Sequence, residues 1–160
     1  MDDRFRAKYP RLGDGHFQVT SAESPRYNCV AWAAGQDSRW WAPIEFSWWP
    51  ETAQVGWSVK ALESVFKLMG YDIASDPGLV PGLEKVAIFA ADDEWTHVAR
   101  QLESGYWTSK LGQGVDIEHE LDGLAGSPYG DVAVIMSRPR SSAPSAPPPL
   151  RYLSYDVVGA

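Results

Sequence analysis

The sequence predicts an α+β fold, in which N-terminal helices pack on an antiparallel sheet of about four strands. Two helical segments come first along the chain, and most of the segments that look like strands come after them. Runs of helices followed by runs of strands are typical of α+β proteins. The length of 160 residues and the apolar fraction of 44% suit one globular domain. We therefore expect a domain over residues 1–137 and a Pro- and Ser-rich linker and tail over residues 138–160.

The two predicted helices are defined by their caps and by their apolar spacing. The first begins at Cys29, because Asn28 is a favourable N-cap, and it ends before Gly35, a favourable residue just after a helix. The second covers residues 58–69, where apolar side chains recur on one helical face. Residues 1–27 carry few periodic signals, so we expect them to form an extended lead-in.

The predicted strands are grouped around one apolar segment. Residues 85–91 are apolar on both faces, which predicts a central strand. Residues 96–102 and 106–111 form a hairpin around Glu103-Ser104-Gly105, and residues 131–137 form a last strand. We expect residues 72–83, which contain Asp, Pro and Gly, to form a loop.

Composition excludes several functional classes. The net charge of −7 and the lack of a basic cluster argue against nucleic-acid binding, which depends on clustered cations. One cysteine allows no internal disulfide and no multi-cysteine metal site. The polar N-terminus lacks the apolar stretch of a signal peptide, and no segment is long and apolar enough to span a membrane. We expect a cytoplasmic protein with no metal, no other cofactor and no membrane partner.

Cys29 is the first candidate for chemistry. Behind an Asn28 cap, its thiol would sit at the first helical position, where free N–H groups and the helix dipole favour an anion. Thiols in such places can have a pKa lowered from about 8.5 toward 3.5–7.5, and the same N–H groups can hold a developing oxyanion. The alternative is that Cys29 is a small buried hydrophobe, as free cysteines commonly are.

His97 is the candidate base for that thiol, and the predicted hairpin decides which residue orients it. A nucleophilic thiolate needs a base held by a further polar group. The three-residue loop with Gly105 in the left-handed position pairs Leu102 with Tyr106 and brings Ser109 to the face of His97. A two-residue loop would bring other side chains there. The predicted catalytic residues are therefore Cys29, His97 and Ser109.

The other histidines receive no role. Asp116 is expected to cap a helix that runs to about Leu124, whose apolar stripe includes Ile117. His119 would lie about 200° around that helix from Ile117 and face solvent. His16 lies in an irregular segment beside two glycines. A zinc site from Cys29, His97, Asp116 and His119 is an unfavoured alternative, because no pair has the usual spacing of metal ligands.

The eight tryptophans have two possible roles. Five of them fall between Trp40 and Trp57, within a long loop that we expect to be ordered. They can form core and sheet cover, or they can line a groove for a sugar or peptide ligand. The candidate binding residues are Trp48, Trp49, Trp107, Asn28 and Gln18, with Gln18 as a side-chain donor to an oxyanion.

This order of residues resembles the NlpC/P60-type branch of the papain-like hydrolases. In that group a Cys opens a helix, and a later segment reads His-Val, then Gly, then a polar residue; here His97-Val98, Gly105 and Ser109 fit that pattern. The family more often has His, Asn or Gln at the third polar position. Its common Asp-Cys-Ser-Gly motif is replaced here by Asn-Cys-Val-Ala at residues 28–31.

The resemblance covers about residues 27–137 and implies a papain-like fold. It also implies that Cys29 attacks a carbonyl, that His97 carries the proton and that Ser109 orients His97. The stretch from His97 to Gly130 also resembles a small uncharacterised bacterial domain family, to which no activity is attached.

Two functions follow as hypotheses. The first is a cysteine hydrolase or acyl-transferase that acts through a Cys29–His97 dyad on a peptide-like or amide-containing small substrate. The alternative is a catalytically silent papain-like binding module, with a Trp-rich groove for a ligand or a protein partner. A lesser hypothesis is a toxin or effector domain delivered between cells.

Overall fold

A computed structural model describes residues 3–141 and 146–158. The strands are β1 (Phe17–Ser21), β2 (Trp48–Pro50), β3 (Asp72–Ala74), β4 (Leu83–Ala91), β5 (Glu94–Gln101), β6 (Trp107–Lys110), β7 (Asp116–His119), β8 (Asp131–Pro139) and β9 (Leu150–Tyr152). The helices are α1 (Asp3–Lys8), α2 (Cys29–Ala33), α3 (Val59–Leu68) and α4 (Tyr155–Val158), with short 3-10 helices at Leu12–Asp14 and Leu121–Leu124. Seven strands form one antiparallel sheet in the order β1-β7-β6-β5-β4-β8-β3, and β2 pairs with β9 in a second sheet.

The prediction of an α+β, papain-like fold with N-terminal helices on a sheet of about four strands is wrong. The molecule is mainly antiparallel sheet, and its helices are few and short. The expected extended lead-in holds α1 and the edge strand β1, and the expected loop at residues 72–83 holds the edge strand β3. These strands are short and largely exposed, so the residue pattern of each is too brief to mark a strand in a sequence.

The expected helix from Asp116 to about Leu124 is also wrong. Asp116–His119 is strand β7, which lies between β1 and β6, and only Leu121–Leu124 turns as a 3-10 helix. Pairing with strands on both sides satisfies the backbone of β7. Tertiary pairing thus overrides the helical spacing of Ile117, Leu121 and Leu124.

The large sheet buries an apolar core on each face. The first core lies under α2 and α3 and includes Cys29, Val30, Leu62, Val65, Phe66, Val86, Ile88, Trp95 and Val98. The second core lies under the N-terminal segment and the 3-10 helices and includes Tyr9, Leu12, Ala87, Phe89, Trp107, Ile117 and Leu124. Strand β4 contributes alternate residues to the two cores, which explains why its sequence is apolar throughout. The prediction of a central strand over residues 85–91 is confirmed.

The predicted hairpin and its register are confirmed. Arg100 pairs with Thr108 and Gln101 with Trp107, which is the register that a three-residue loop at 103–105 requires. Gly105 has φ of +94°, in the left-handed region that glycine reaches without strain. The length of the loop thus determines which side chains of the two strands lie opposite each other.

Both predicted helix starts are confirmed by side-chain caps. Asn28 Oδ1 accepts from Ala31 N, and Ser58 Oγ accepts from Ala61 N. Asn28 does more, because its Oδ1 also accepts from Trp41 N at 3.0 Å and its Nδ2 donates to Trp41 O at 2.7 Å. The buried Asn28 side chain therefore fixes the Trp-rich segment to the start of α2.

The C-terminal residues dock on the body of the molecule. β9 pairs with β2, and Leu153 is fully buried in the first core. Arg138 and Pro139 complete β8. Within the segments expected to be linker and tail, residues 142–145 and 159–160 lie outside the described residues.

Replacing Asn28 with Ala should destabilise the fold by about 3 kcal/mol. The change removes a helix cap and leaves the buried N–H and C=O of Trp41 without their partner. Ser58→Ala is the matched control, because Ser58 caps α3 alone, and it should cost about 1 kcal/mol. Urea unfolding measures both values; equal losses would contradict the structural role assigned to Asn28.

Candidate functional site

Three buried polar side chains form a hydrogen-bonded chain across neighbouring strands. His97 Nε2 lies 2.9 Å from Ser109 Oγ, and Ser109 Oγ lies 2.7 Å from His119 Nε2. His119 Nδ1 lies 2.7 Å from the carbonyl oxygen of Glu120. His97, Ser109 and His119 are each 0% exposed. The chain lies on the second-core face, where His97 packs edge-on against Phe89.

The carbonyl of Glu120 fixes the direction of every hydrogen bond in this chain. A carbonyl only accepts, so His119 Nδ1 carries the proton and His119 Nε2 is an acceptor in the neutral ring. Ser109 Oγ–H then donates to His119 Nε2, and His97 Nε2–H donates to Ser109 Oγ. His97 Nδ1 is left as a bare lone pair, and it has no hydrogen-bond partner among the residues that the structure describes.

Burial keeps both histidines neutral. It lowers the pKa of His97 to about 3, and the nearby His119 lowers it further in the same direction. Burial also lowers the pKa of His119 to about 4, against the hydrogen bond to Glu120, which favours its protonated form. Neutral rings are what the hydrogen-bond directions above require. The site therefore holds a neutral imidazole with a free acceptor nitrogen.

The predicted pair of His97 and Ser109 is brought together, and His119 was missed. The expected position of His119 in solvent is wrong, since its ring is fully buried. The error follows from the helix expected at residues 116–124. One signal was available: as a strand, the same residues place Ile117 and His119 on one face by simple alternation.

Cys29 approaches the site from the other face of the sheet. It belongs to the first core and opens α2, which packs on β5 and β6. Its thiol takes a backbone hydrogen bond from Val98, whose N is bonded to the carbonyl carbon of His97. No hydrogen bond joins Cys29 to His97 among the described residues. The thiol thus lies next to the peptide bond of His97, without direct contact to the imidazole.

Backbone pairing between β5 and β6 extends only to Arg100 and Thr108, although both strands continue past those residues. Val98 lies on the part of β5 that has no partner on β6, and its N–H donates to the thiol. The thiol and the imidazole lie on opposite faces of the sheet, with the backbone of β5 between them.

The expectation that Cys29 has a lowered pKa is overturned. Burial raises the pKa of the thiol to about 11. The backbone N–H groups of Val98, Val30 and Cys29, and then the charge of Lys110, act in the opposite direction but do not outweigh it. Helix α2 has only five residues, so its dipole is short. In the resting protein the thiol and the imidazole are both neutral.

Lys110 is a buried cation on the thiol's side of the sheet. Its Nζ donates to the carbonyls of Ser24 and Gly112 at 2.7 and 2.6 Å and lies 4.8 Å from the ring centre of Tyr27. Burial lowers the pKa of Lys110, and the charge of Asp116 opposes that shift. Asp116 accepts hydrogen bonds from Tyr27 Oη and Ser21 Oγ. This network stabilises a positive charge close to Cys29, a role the sequence did not indicate.

The predicted binding residues occupy very different environments. Asn28 is a buried structural residue, and Gln18 lies exposed on the edge strand β1, opposite Glu118. Trp49 is fully buried and stacks on Trp95 with the ring centres 6.1 Å apart.

Trp107 is buried in the second core. Trp48 is partly exposed, with the Arg39 guanidinium 3.8 Å above its ring. The rings of Trp49 and Trp107 therefore serve as core, and of the three predicted tryptophans Trp48 alone presents ring surface to solvent.

Tyr129 covers the imidazole from outside. Its ring stacks on His97 with the ring centres 4.2 Å apart and the planes 12° apart. The carbonyl of Tyr129 accepts from Thr96 Oγ1, and the neighbouring Gly130 has φ of +76°. A Cβ on Gly130 would lie 2.2 Å from the carbonyl oxygen of Ala90, so only glycine allows this loop to lie against β4.

Residues 3–141 and 146–158 contain no group of three or more His, Cys, Asp or Glu side chains arranged to hold a metal ion. None of the described helices is both long and apolar enough to span a bilayer.

Comparison with known proteins gives one family. Residues 18–137 match a family described as a domain of unknown function, DUF7689. This range contains Cys29, His97, Ser109 and His119, so the whole candidate site lies within the family's domain. No curated protein and no solved structure matches the chain.

Proposed function

The chain belongs to the DUF7689 family, and from the chemistry of its site we propose that it is a cysteine hydrolase or acyl-transferase acting on amide bonds. Cys29 is the nucleophile and His97 is the general base. Ser109 and His119 hold His97 in the tautomer that can accept a proton. The substrate is a peptide-like or amide-containing small molecule.

One observation carries this proposal: the free Nδ1 of His97. A buried nitrogen acceptor without a partner costs free energy, commonly about 1–3 kcal/mol. The hydrogen-bonded chain of His97, Ser109 and His119 ends on the carbonyl of Glu120 and leaves that nitrogen without a partner among the described residues. A buried unsatisfied group in a folded protein requires an explanation, and a catalytic role is one such explanation. The thiol beside Val98 supplies the proton donor that such a base needs.

The reaction follows from these groups. His97 Nδ1 takes the proton of the Cys29 thiol through water, because no hydrogen bond joins the two groups in the unliganded site. The thiolate attacks the carbonyl carbon, and the leaving amine takes the proton back from His97 Nδ1. A thioester on Cys29 remains. Water, deprotonated by His97, then releases the acid, or an acceptor amine takes the acyl group instead.

The neutral resting pair has a kinetic consequence. With the pKa of Cys29 raised and that of His97 lowered, the thiolate–imidazolium pair is a minor species at rest. The charge of Lys110 and the N–H groups of Val98 and Val30 favour the thiolate once it forms. Activation therefore accompanies substrate binding, when water is excluded and the developing charges face each other.

Acetylation by p-nitrophenyl acetate tests the proposal. The protein should release one equivalent of p-nitrophenolate in a burst, because the thiolate of Cys29 displaces it and keeps the acetyl group as a thioester. Intact-protein mass spectrometry should show one added acetyl group. Cys29 is the only cysteine, so the modified peptide identifies the site directly.

Cys29→Ala is the control for that experiment. It should lose both the burst and the acetyl adduct while keeping the unfolding transition of the parent. An equal burst in Cys29→Ala would show that another nucleophile reacts. No adduct in the folded parent at any pH up to 9 would refute the hydrolase and favour a catalytically silent binding module.

A further inference from the structure

A pocket of about 710 Å³ opens on the second-core side of the sheet, where β1, α1 and the residues after β6 meet. Its volume is in the usual range for sites that bind small molecules. Its apolar walls are formed by Phe5, Tyr9, Phe17, Leu111, Val115 and Tyr129. Neither Cys29 nor His97 lines it, so this space is separate from the residues described so far.

Tyr129 connects the pocket to the catalytic groups. One side of its ring stacks on His97, and the residue also forms part of the pocket wall. Its hydroxyl lies 3.4 Å from that of Tyr9, another wall residue. Burial raises the pKa of Tyr129, and the neighbouring Tyr9 raises it further.

The charged side chains that line the pocket are mainly positive. Arg4 and Lys8, both on α1, line it, and neither forms an ion pair with any residue in the described ranges. Two unpaired cations are notable in a chain of net charge −7. Glu23, on a different element, is the one carboxylate of the lining. Cations with an apolar wall select an apolar group that carries a negative charge.

We infer that this pocket is a binding site for a small apolar carboxylic acid, and that it selects one with an aromatic or branched apolar side chain. The inference goes beyond the proposed function, and the binding itself needs no thiol. The carboxylate of the ligand faces Arg4 and Lys8, and its apolar side chain fills the space between Phe17 and Leu111.

Two fluorescent probes separate the charge contribution from the apolar one. 8-Anilino-1-naphthalenesulfonate carries an aromatic group and an anion, and N-phenyl-1-naphthylamine has the same aromatic frame without the anion. The double variant Arg4→Glu with Lys8→Glu should weaken binding of the sulfonate by about tenfold and leave that of the neutral probe within about twofold. Val19→Trp, which fills the pocket from β1, should abolish binding of both probes.

The matched control makes the same change in charge elsewhere. Arg6→Glu with Lys67→Glu alters two exposed cations that do not line the pocket, and it should leave both dissociation constants unchanged. N-acetyl-L-phenylalanine should displace the sulfonate more effectively than its amide does, by about three- to tenfold. Equal weakening in both double variants, or equal displacement by acid and amide, would overturn the inference.

The outcomes also distinguish this inference from the proposed function. Cys29→Ala should bind both probes as the parent does. If the probes fail to bind while Cys29 is acetylated, the pocket inference is wrong and the hydrolase proposal stands. If the probes bind in the expected pattern while Cys29 resists acetylation, the hydrolase proposal is wrong and the pocket inference stands.

Discussion

His97→Ala should slow acetylation of Cys29 by about 10²- to 10⁴-fold, the range that a general base contributes. The variant removes the unpaired Nδ1 of His97, the group proposed to take the proton of the thiol. Stopped-flow release of p-nitrophenolate measures the rate. The remaining thiol should react in proportion to its own ionisation, so its rate should rise tenfold per pH unit up to its pKa, about 11.

Ser109→Ala tests the same chain without removing the imidazole. It deletes the acceptor of the His97 Nε2–H bond, so the ring loses its preference for the tautomer with a free Nδ1. We expect a loss of about 10- to 1,000-fold in the acetylation rate. The loss should persist when substrate saturates, because orientation of the base affects the chemical step rather than binding.

His16→Ala is the matched histidine control for both variants. His16 is partly exposed, has its Nε2 2.6 Å from Glu118 and lies outside the hydrogen-bonded chain of His97, Ser109 and His119. It should leave the acetylation rate within twofold of the parent. If His97→Ala and His16→Ala react alike, His97 is not the base and the proposed mechanism fails.

Lowering the pH from 7 to 5 should destabilise the fold by about 4 kcal/mol through His97 and His119 alone. Both have folded-state pKa values, about 3 and about 4, that lie below the value of 6.5 for a free histidine. The unfolded chain therefore binds more protons over this window, and stability falls as pH falls below about 6.5. Each ring contributes about 2 kcal/mol by pH 5, a large part of the stability of an ordinary domain.

Urea unfolding at pH 7, 6 and 5 measures this dependence. His119→Gln removes one titrating ring and should reduce the fall in stability by about half, whatever its effect at pH 7. An unchanged pH dependence in His119→Gln would show that His119 is not held neutral in the folded protein.

Local signals in the sequence were sufficient for the hairpin and for the pair His97–Ser109. The loop length at 103–105 and the left-handed Gly105 determine the register, and both are encoded by neighbouring residues. The caps Asn28 and Ser58 were predictable for the same reason. Each depends on contacts within a few residues of itself.

Features that depend on distant partners were not predictable in this way. Residues 116–124 carry both a helical and an alternating pattern, and the choice was made by pairing with β1 and β6. A lowered pKa was expected for Cys29 because it opens a helix. Burial in the first core raises that pKa instead. Edge strands β1 and β3 are recognised only once a sheet exists for them to join.

The placement of the thiol and the imidazole on opposite faces of the sheet has a consequence for how this site can be inherited. The thiol belongs to one layer of the molecule and the imidazole to the other, with the backbone of β5 between them. A loop graft could not transfer such a site to another scaffold. The smallest portable unit is a block of three adjacent strands, β5, β6 and β7, together with the layers that cover both of its faces.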